Sequence, residues 1–235
     1  MGRHLLAVLV VLLGTSVGCG SSGSAPSPDG LPCSGTPTVT YTGRTYDTVQ
    51  IGAQCWLAQN LDVGTRIDAP ATQDPSGPSI VKFCYDNDED NCHVWGGLYQ
   101  WNEAMLGSTT PGAKGICPAG WHVPTTEEWT TLTTYVGGAT TAGLALKSAG
   151  TSLWDARNTA NNSSGFTAIP AGWFMGAYFG MLTYQATFWA STQTDGLTPG
   201  SNAKVRYLRS DTNLVVDDDI GKQFAFSVRC LKNGP

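Results

Sequence analysis

One stretch constrains the fold of this chain more than any other: residues 117–129, which read CPAGWHVPTTEEW. Pro118 and Pro124 each fix the backbone φ angle, and Gly120 permits a bend that a larger residue would resist. The stretch therefore predicts a rigid turn that holds a cysteine, two tryptophans and a histidine in a fixed relation.

A helix is expected directly after this turn. Thr125 and Glu128 have the spacing of a capping box, in which each side chain binds the backbone N–H of the other residue. Trp129, Leu132 and Val136 then recur at helical spacing. Glu128 is therefore interpreted as a helix cap and not as an acid or base.

The same stretch resembles the signature of the Fibrobacter succinogenes major paralogous domain family, which is found in bacterial secreted proteins and lipoproteins. Four further stretches resemble its motifs in order: YDTVQIGAQCWLAQNL (46–61), WGGLYQW (95–101), FWAST (188–192) and FSVRC (226–230). The resemblance covers residues 38–232. It implies an α+β fold of the C-type-lectin-like, sulfatase-modifying-factor-like kind, with short antiparallel strands, two or three helices and long loops. It implies no activity, because the family has no established one.

Residues 1–18 read as a lipoprotein signal peptide. Arg3 precedes an apolar run, residues 5–13, that is too short for a stable membrane anchor but fits the core of a signal peptide. Residues 16–19 (SVGC) have the form of a lipoprotein cleavage box, although its first position is usually leucine. We therefore expect a lipid on Cys19; the alternative is an ordinary signal peptide with a nearby cleavage site.

Residues 19–37 are expected to form a flexible tether. They consist mainly of Gly, Ser and Pro and cannot bury enough apolar surface to fold. Gly20 stands where a retention signal for the inner membrane would place aspartate, so in a diderm bacterium we expect an outer-membrane lipoprotein.

The cysteine count supports export. Seven cysteines are present, so lipidation of Cys19 leaves an even number for three disulfides, with fifteen possible pairings. Cys84 and Cys92 enclose a short loop that a disulfide between them would close. Cys230 shares a face of the predicted last strand with core residues. We pair it with Cys117, which begins the rigid turn of residues 117–124, called the organising turn below. Cys33 with Cys55 follows by elimination.

Composition favours one compact, loop-rich domain over residues 38–232. Charged residues make up 13% of the chain and aromatic residues 10%, and there are 29 glycines. The net charge of −5 argues against a nucleic-acid partner.

Alternating and apolar patterns predict the elements of this domain. A β-hairpin is expected around residues 42–45, and a long surface loop is expected over residues 62–80. The expected helices are 97–106, one after Thr125 and 142–147. The expected strands are 39–41, 46–51, 55–57, 173–179, 188–191, 204–208 and 224–231.

The sequence contains two short runs of acidic residues, at positions 86–90 and 217–219. Asp86, Asp88 and Asp90 alternate as in the first half of a calcium loop, but the glutamate that completes an EF-hand is absent. A solvated acidic turn is the alternative to a calcium site. Residues 217–219 (DDD) are expected to form a solvated turn before the last strand.

The remaining candidate residues are histidines and aromatics. His122 is interpreted as a buried structural histidine, and His93 as a surface residue or a ligand of the acidic loop. Trp173, Tyr178 and Tyr184 are candidates for a sugar-binding surface, because aromatic rings stack on the C–H faces of sugars. The alternative is that such residues belong to a large aromatic core.

The sequence as a whole predicts an exported envelope lipoprotein with a non-catalytic binding or adhesion domain. Polysaccharide or another envelope protein is the candidate partner, besides membrane lipid at Cys19. The first alternative is a sulfatase-modifying-factor-like enzyme that uses a free cysteine. The second is a purely structural envelope lipoprotein.

Overall fold

The computed structural model describes residues 1–2 and 29–234, so the predicted signal peptide and lipid site at Cys19 lie outside the described residues. Within these ranges the domain is mostly strands with four short α-helices, which confirms the mixed class but exceeds the two or three helices expected. No helix in them is long and apolar enough to cross a bilayer.

The helices are α1 (Glu89–Trp95), α2 (Trp101–Ala104), α3 (Thr126–Tyr135) and α4 (Gly143–Leu146). The strands are β1 (Thr38–Tyr41), β2 (Arg44–Ile51), β3 (Gln54–Leu57), β4 (Thr65–Arg66), β5 (Val81–Lys82), β6 (Tyr99–Gln100), β7 (Trp121–His122), β8 (Ala171–Phe174), β9 (Phe179–Leu182), β10 (Gln185–Thr194), β11 (Asn202–Arg209), β12 (Val215–Gly221), β13 (Ala225–Phe226) and β14 (Leu231–Lys232).

These strands form three antiparallel sheets and one short parallel pair. The first sheet has the order β1-β2-β3-β14-β7, the second β10-β11-β12 and the third β6-β13-β8-β9. The parallel pair joins β4 to β5 across the long loop. The last strand of the chain therefore lies between β3 and β7 inside the first sheet.

The predicted hairpin is confirmed. Strands β1 and β2 pair antiparallel with Val39 opposite Tyr46, and Thr42 and Gly43 take positive φ angles at the turn. Val49 and Ile51 are buried, as their alternation predicted. Strand β3 then pairs with β2 and places Trp56 in the core.

The predicted capping box at the start of α3 is confirmed. The Glu128 N–H donates to Thr125 Oγ1 at 3.2 Å, and the Thr125 N–H donates to Glu128 Oε2 at 2.8 Å. Trp129 and Leu132 on this helix are fully buried. The Trp129 ring lies 4.8 Å from that of Trp56, so the helix packs against the first sheet through its apolar face.

Three disulfides cross-link the domain: Cys33–Cys55, Cys84–Cys92 and Cys117–Cys230. These are the pairs expected from the sequence. The third joins the organising turn to the end of the chain. Phe226, Val228 and Cys230 all enter the same core cluster, so the predicted burial of these three residues is confirmed.

The tether expected over residues 19–37 is too long, because Cys33 is buried in its disulfide with Cys55 and the backbone of residues 30–31 is hydrogen-bonded to Gln50. Residues 29–37 therefore belong to the domain.

Four predicted element boundaries are wrong. The helix expected over 97–106 shrinks to α2, because residues 99–100 pair with β13 as strand β6. The strand expected over 173–179 is the hairpin of β8 and β9, whose turn contains Gly176 at φ 77°. The strand expected over 224–231 divides into β13 and β14, which join different sheets. The acidic loop after Cys84 includes α1, for which Asp88 is the N-cap.

The second acidic run is also not a turn. Asp217, Asp218 and Asp219 lie in the middle of strand β12. Lys204 and Arg206 on β11 face this run, and Arg206 Nη2 lies 2.8 Å from Asp217 Oδ2. Opposite charges on paired strands stabilise a sheet, so the partner strand overrides the low strand propensity of aspartate.

Candidate functional site

A polar cleft with a volume of 820 Å³ opens between four segments of the domain. They are the β1–β2 turn, the loop after β3, the end of the long loop at β5, and the last turn of α1. Its volume is in the range of small-ligand sites in proteins. Four hydroxyl side chains contribute to its lining: Thr42, Thr45, Thr65 and Ser79.

Charged side chains form the floor of the cleft. The side chains of Asp62 and Lys82 are each only 5% exposed, and Lys82 Nζ lies 2.5 Å from Asp62 Oδ1. Arg44 Nη1 lies 2.7 Å from the other oxygen, Oδ2. Glu89 Oε1 accepts from Lys82 Nζ at 2.8 Å. Glu89 does not itself line the cleft, and its other oxygen, Oε2, lies 3.6 Å from Arg66 Nε. Each cation of the floor thus has a carboxylate partner.

Two buried tyrosines fix the position of Asp62. The Asp62 N–H donates to Tyr46 Oη at 3.1 Å, and this hydroxyl donates to the Asp62 carbonyl at 3.2 Å. Tyr99 Oη makes the same pair of bonds with Val63, at 2.8 and 2.9 Å. Burial raises the pKa of both tyrosines, so both hydroxyls remain donors. The loop that carries Asp62 is therefore held rigidly.

His93 lies at the rim of the cleft, at the end of α1. Its side chain is largely exposed, and Nδ1 lies 3.7 Å from Asp62 Oδ2. Its backbone carbonyl accepts from Arg44 Nη2 at 3.3 Å. His93 is thus a surface residue, as one reading of the sequence expected, and it also faces the cleft.

The cleft is suited to binding a hydroxyl-rich, uncharged ligand. Its hydroxyl groups both donate and accept, its cations donate, and its carboxylates accept. Because each charge of the floor is already paired, a ligand needs no net charge to replace the lost hydration of the floor. This arrangement can hold a sugar by hydrogen bonds.

The structure places the predicted calcium residues at the start of α1. Asp88 caps the helix by accepting from the Asp90 N–H at 3.1 Å, and Asp86 has a positive φ angle in the preceding turn. Among the described residues no group of three or more His, Cys, Asp or Glu side chains is arranged to hold a metal ion. The calcium interpretation stays a prediction, and an unchanged unfolding temperature after chelation would contradict a structural calcium site.

The three aromatic candidates do not form one surface. Trp173 is buried, and Tyr178 is 63% exposed on the β8–β9 hairpin with its ring 5.6 Å from that of Trp173. Tyr184 lies elsewhere, with the Arg157 guanidinium 4.5 Å from its ring centre and its hydroxyl bound to Asp211 at 2.8 Å. None of the three lines the cleft.

His122 is buried and hydrogen-bonded in the described structure. Nδ1 lies 2.7 Å from Asn233 Oδ1, and Nε2 lies 3.0 Å from Glu128 Oε1. Burial opposes the charged imidazolium, but the bonds to Glu128 and Asn233 outweigh it and raise the pKa of His122. Burial likewise opposes the Glu128 carboxylate, but the bond to His122 outweighs it and lowers the pKa of Glu128. This pair ties the organising turn to α3 and to the end of the chain.

The charged residues of the cleft were missed in the sequence. Arg44 lies inside a predicted hairpin turn, and Asp62 and Lys82 are separated by a long loop without a recognisable motif. They meet only because β4 and β5 pair and close that loop. The one available signal was His93, which was considered as a ligand.

The described residues thus define a disulfide-bonded domain of mixed antiparallel sheets with a polar cleft. The family model of the Fibrobacter succinogenes major domain matches residues 49–232, and the chain belongs to this family. Comparison with curated proteins and with solved structures gives no significant match.

Proposed function

We propose that this protein is an exported, lipid-anchored envelope protein whose domain binds polysaccharide without catalysis. The signal sequence, the cleavage box at Cys19 and the Gly/Ser/Pro composition of residues 20–28 support the anchoring. The short antiparallel strands, short helices and disulfides support a C-type-lectin-like architecture. In a diderm host the anchor places the domain on the outer membrane.

The observation that carries the binding proposal is the cleft and its floor of paired charges. Proteins recognise sugars through fixed polar groups. Here the floor is fixed by ion pairs and by the hydroxyl bonds of Tyr46 and Tyr99 to the backbone of residues 62–63, the two tyrosine clamps. Arg44 is the best placed of these groups to meet a ligand, because its side chain is 31% exposed while Asp62 and Lys82 are almost covered.

The disulfides favour binding over the enzyme alternative. A sulfatase-modifying-factor-like reaction needs a reactive thiol. All six cysteines in residues 29–234 are paired, and therefore none of them supplies one.

Binding to a glycan array, followed by calorimetric titration with any glycan that binds, tests the proposal. We expect Arg44→Met to weaken binding at least about tenfold, the effect of losing roughly 1.4 kcal/mol of hydrogen bonding. The matched control is Arg157→Met, an exposed arginine outside the cleft, which should leave the affinity unchanged. Tyr178→Ala tests the aromatic hairpin as an alternative site.

The outcomes separate three models. Loss of binding in the Arg44 variant alone supports the cleft. Loss in the Tyr178 variant alone assigns the ligand to the aromatic hairpin and contradicts the cleft. Absence of binding to every glycan contradicts the polysaccharide proposal and favours another envelope protein or a structural role.

A separate measurement tests the anchor. The intact mass of protein purified from its host membrane should correspond to a chain that begins at Cys19 and carries acyl groups. A chain that begins at a neighbouring residue without acyl groups would contradict lipidation and support the ordinary signal peptide.

A further inference from the structure

We propose that the side chains of Lys82 and Asp62 become joined by an intramolecular amide bond, an isopeptide cross-link. The inference does not rest on the proposed ligand. It rests on the arrangement of an amine, a carboxyl group and a second carboxylate beneath the cleft.

The two reacting groups are held in contact and shielded from water. Lys82 Nζ lies 2.5 Å from Asp62 Oδ1, and both side chains are 5% exposed. The two tyrosine clamps fix the backbone at residues 62–63, and the pairing of β4 with β5 fixes the backbone at Lys82. Groups held in such contact react far faster than free groups, since the entropy of bringing them together is already lost.

Glu89 is placed to move the protons. Its Oε1 lies 2.8 Å from Lys82 Nζ. A lysine amine is a nucleophile only after it loses a proton, and a neighbouring carboxylate that accepts this proton acts as general base. Glu89 keeps contact with solvent, because its side chain is 44% exposed.

Arg44 is placed to stabilise the charge that develops. Its Nη1 binds Asp62 Oδ2 at 2.7 Å, whereas Lys82 binds the other oxygen. Oδ2 is therefore the oxygen that stays in the amide, and it carries the negative charge of the tetrahedral intermediate. A fixed cationic donor at that oxygen lowers the barrier, as in an oxyanion hole.

The reaction balances without any co-reactant. The Lys82 ammonium transfers a proton to Glu89, and Nζ attacks Cγ of Asp62, so that a C–N bond forms. The bond from Cγ to Oδ1 breaks, and Glu89 returns its proton to the departing oxygen. A second proton from Nζ completes one water molecule, which leaves through the cleft, and a neutral amide remains.

Burial supplies a reason for the amide to persist. Keeping an ammonium and a carboxylate out of water is costly, even when they are paired. The amide removes both charges. The exposed ion pairs of Lys204 with Asp217 and Asp219 lack this driving force and lack the clamps, so they form a control within the same molecule.

Peptide mapping of the purified mature protein tests the proposal. After reduction, trypsin should fail to cleave at Lys82 and should yield residues 45–66 joined to residues 67–114, lighter by one water than the two peptides together. Unlinked peptides that end at Arg66 and Lys82 would overturn the proposal. Peptides around Lys204 should be found unlinked.

Three variants define the chemistry. Lys82→Arg should abolish the link and restore the missing water, and Asp62→Asn should form the link with loss of ammonia instead of water. Glu89→Gln should slow formation by about 100-fold or more, the usual contribution of a general base. A Glu89→Gln protein that cross-links at the wild-type rate would remove Glu89 from the mechanism as stated.

One other reaction also removes a water molecule from the protein, but it occurs at different residues and can be distinguished by peptide mapping. Asp29 and Asp195 each precede glycine, a sequence in which aspartate also loses water by cyclising onto its own backbone. A loss of water that maps to either of these residues, with an intact tryptic site at Lys82, would overturn the proposal.

Discussion

Replacing Arg229 with methionine should destabilise the domain strongly. Arg229 is fully buried, and burial lowers its pKa to about 9, so the guanidinium remains charged at neutral pH. In place of a carboxylate partner in the described structure, it has four neutral oxygen acceptors. These are the carbonyls of Leu57, Phe166 and Thr167, at 3.1, 2.6 and 3.3 Å, and Asn60 Oδ1, at 2.8 Å.

The size of the effect follows from these four bonds. A buried acceptor left without a partner costs about 1–3 kcal/mol. Methionine keeps much of the packing against Phe166 and removes a buried charge, so we take the low end for each acceptor. The sum is about 4 kcal/mol, which for a domain of this size lowers the unfolding temperature by roughly 8–16 °C.

Urea unfolding followed by tryptophan fluorescence, under conditions that keep the disulfides, measures this difference. The control is Arg157→Met, which removes an arginine that is 58% exposed and paired with Asp155, and which should cost less than about 1 kcal/mol. If Arg229→Met lowers the free energy of unfolding no more than the control does, the four oxygens do not need the guanidinium as their hydrogen-bond donor, and the reasoning is refuted.

Three further predictions concern stability. Removing the Cys117–Cys230 disulfide by double alanine substitution should cost about 5 kcal/mol in the entropic treatment of a loop of this length, and equal stability of the variant in urea would contradict that. Thr125→Ala should cost about 1 kcal/mol through the lost cap, with the unfolding midpoint as the measure. The bonds of His122 to Glu128 and Asn233 raise its pKa in the folded protein and should therefore stabilise the fold. This stabilisation should be fully present below pH 6.5, the ordinary pKa, and should be lost as the pH rises through the raised pKa of the folded protein. The lowered pKa of Glu128 should add stability above its ordinary value of 4.5 that is lost as the pH falls through the folded value, and a pH series that stays unchanged in His122→Gln would refute the coupling.

Local signals in the sequence were enough for the elements whose contacts are close in the chain. The capping box at Thr125 and the β1–β2 hairpin depend on residues only a few positions apart, and both predictions are confirmed. The alternation in residues 224–231 placed Cys230 correctly on the core face, although the backbone there divides between two sheets.

Long-range pairing explains what the sequence did not show. Residues 217–219 are a strand because β11 presents Lys204 and Arg206 to them. Residues 99–100 are a strand because β13, from the end of the chain, pairs with them. The cleft has the same origin: Arg44, Asp62 and Lys82 carry no common motif, and tertiary structure alone brings them together.

The position of β14 has a consequence for the order in which the protein can fold. The first sheet has a gap between β3 and β7 until residues 231–232 fill it, and the last cysteine pair closes beside the same strand. A chain that emerges from a ribosome or a translocon with its N-terminus first therefore cannot complete the first sheet until residues 231–232 appear. A chain that ends before them should stay open and be degraded.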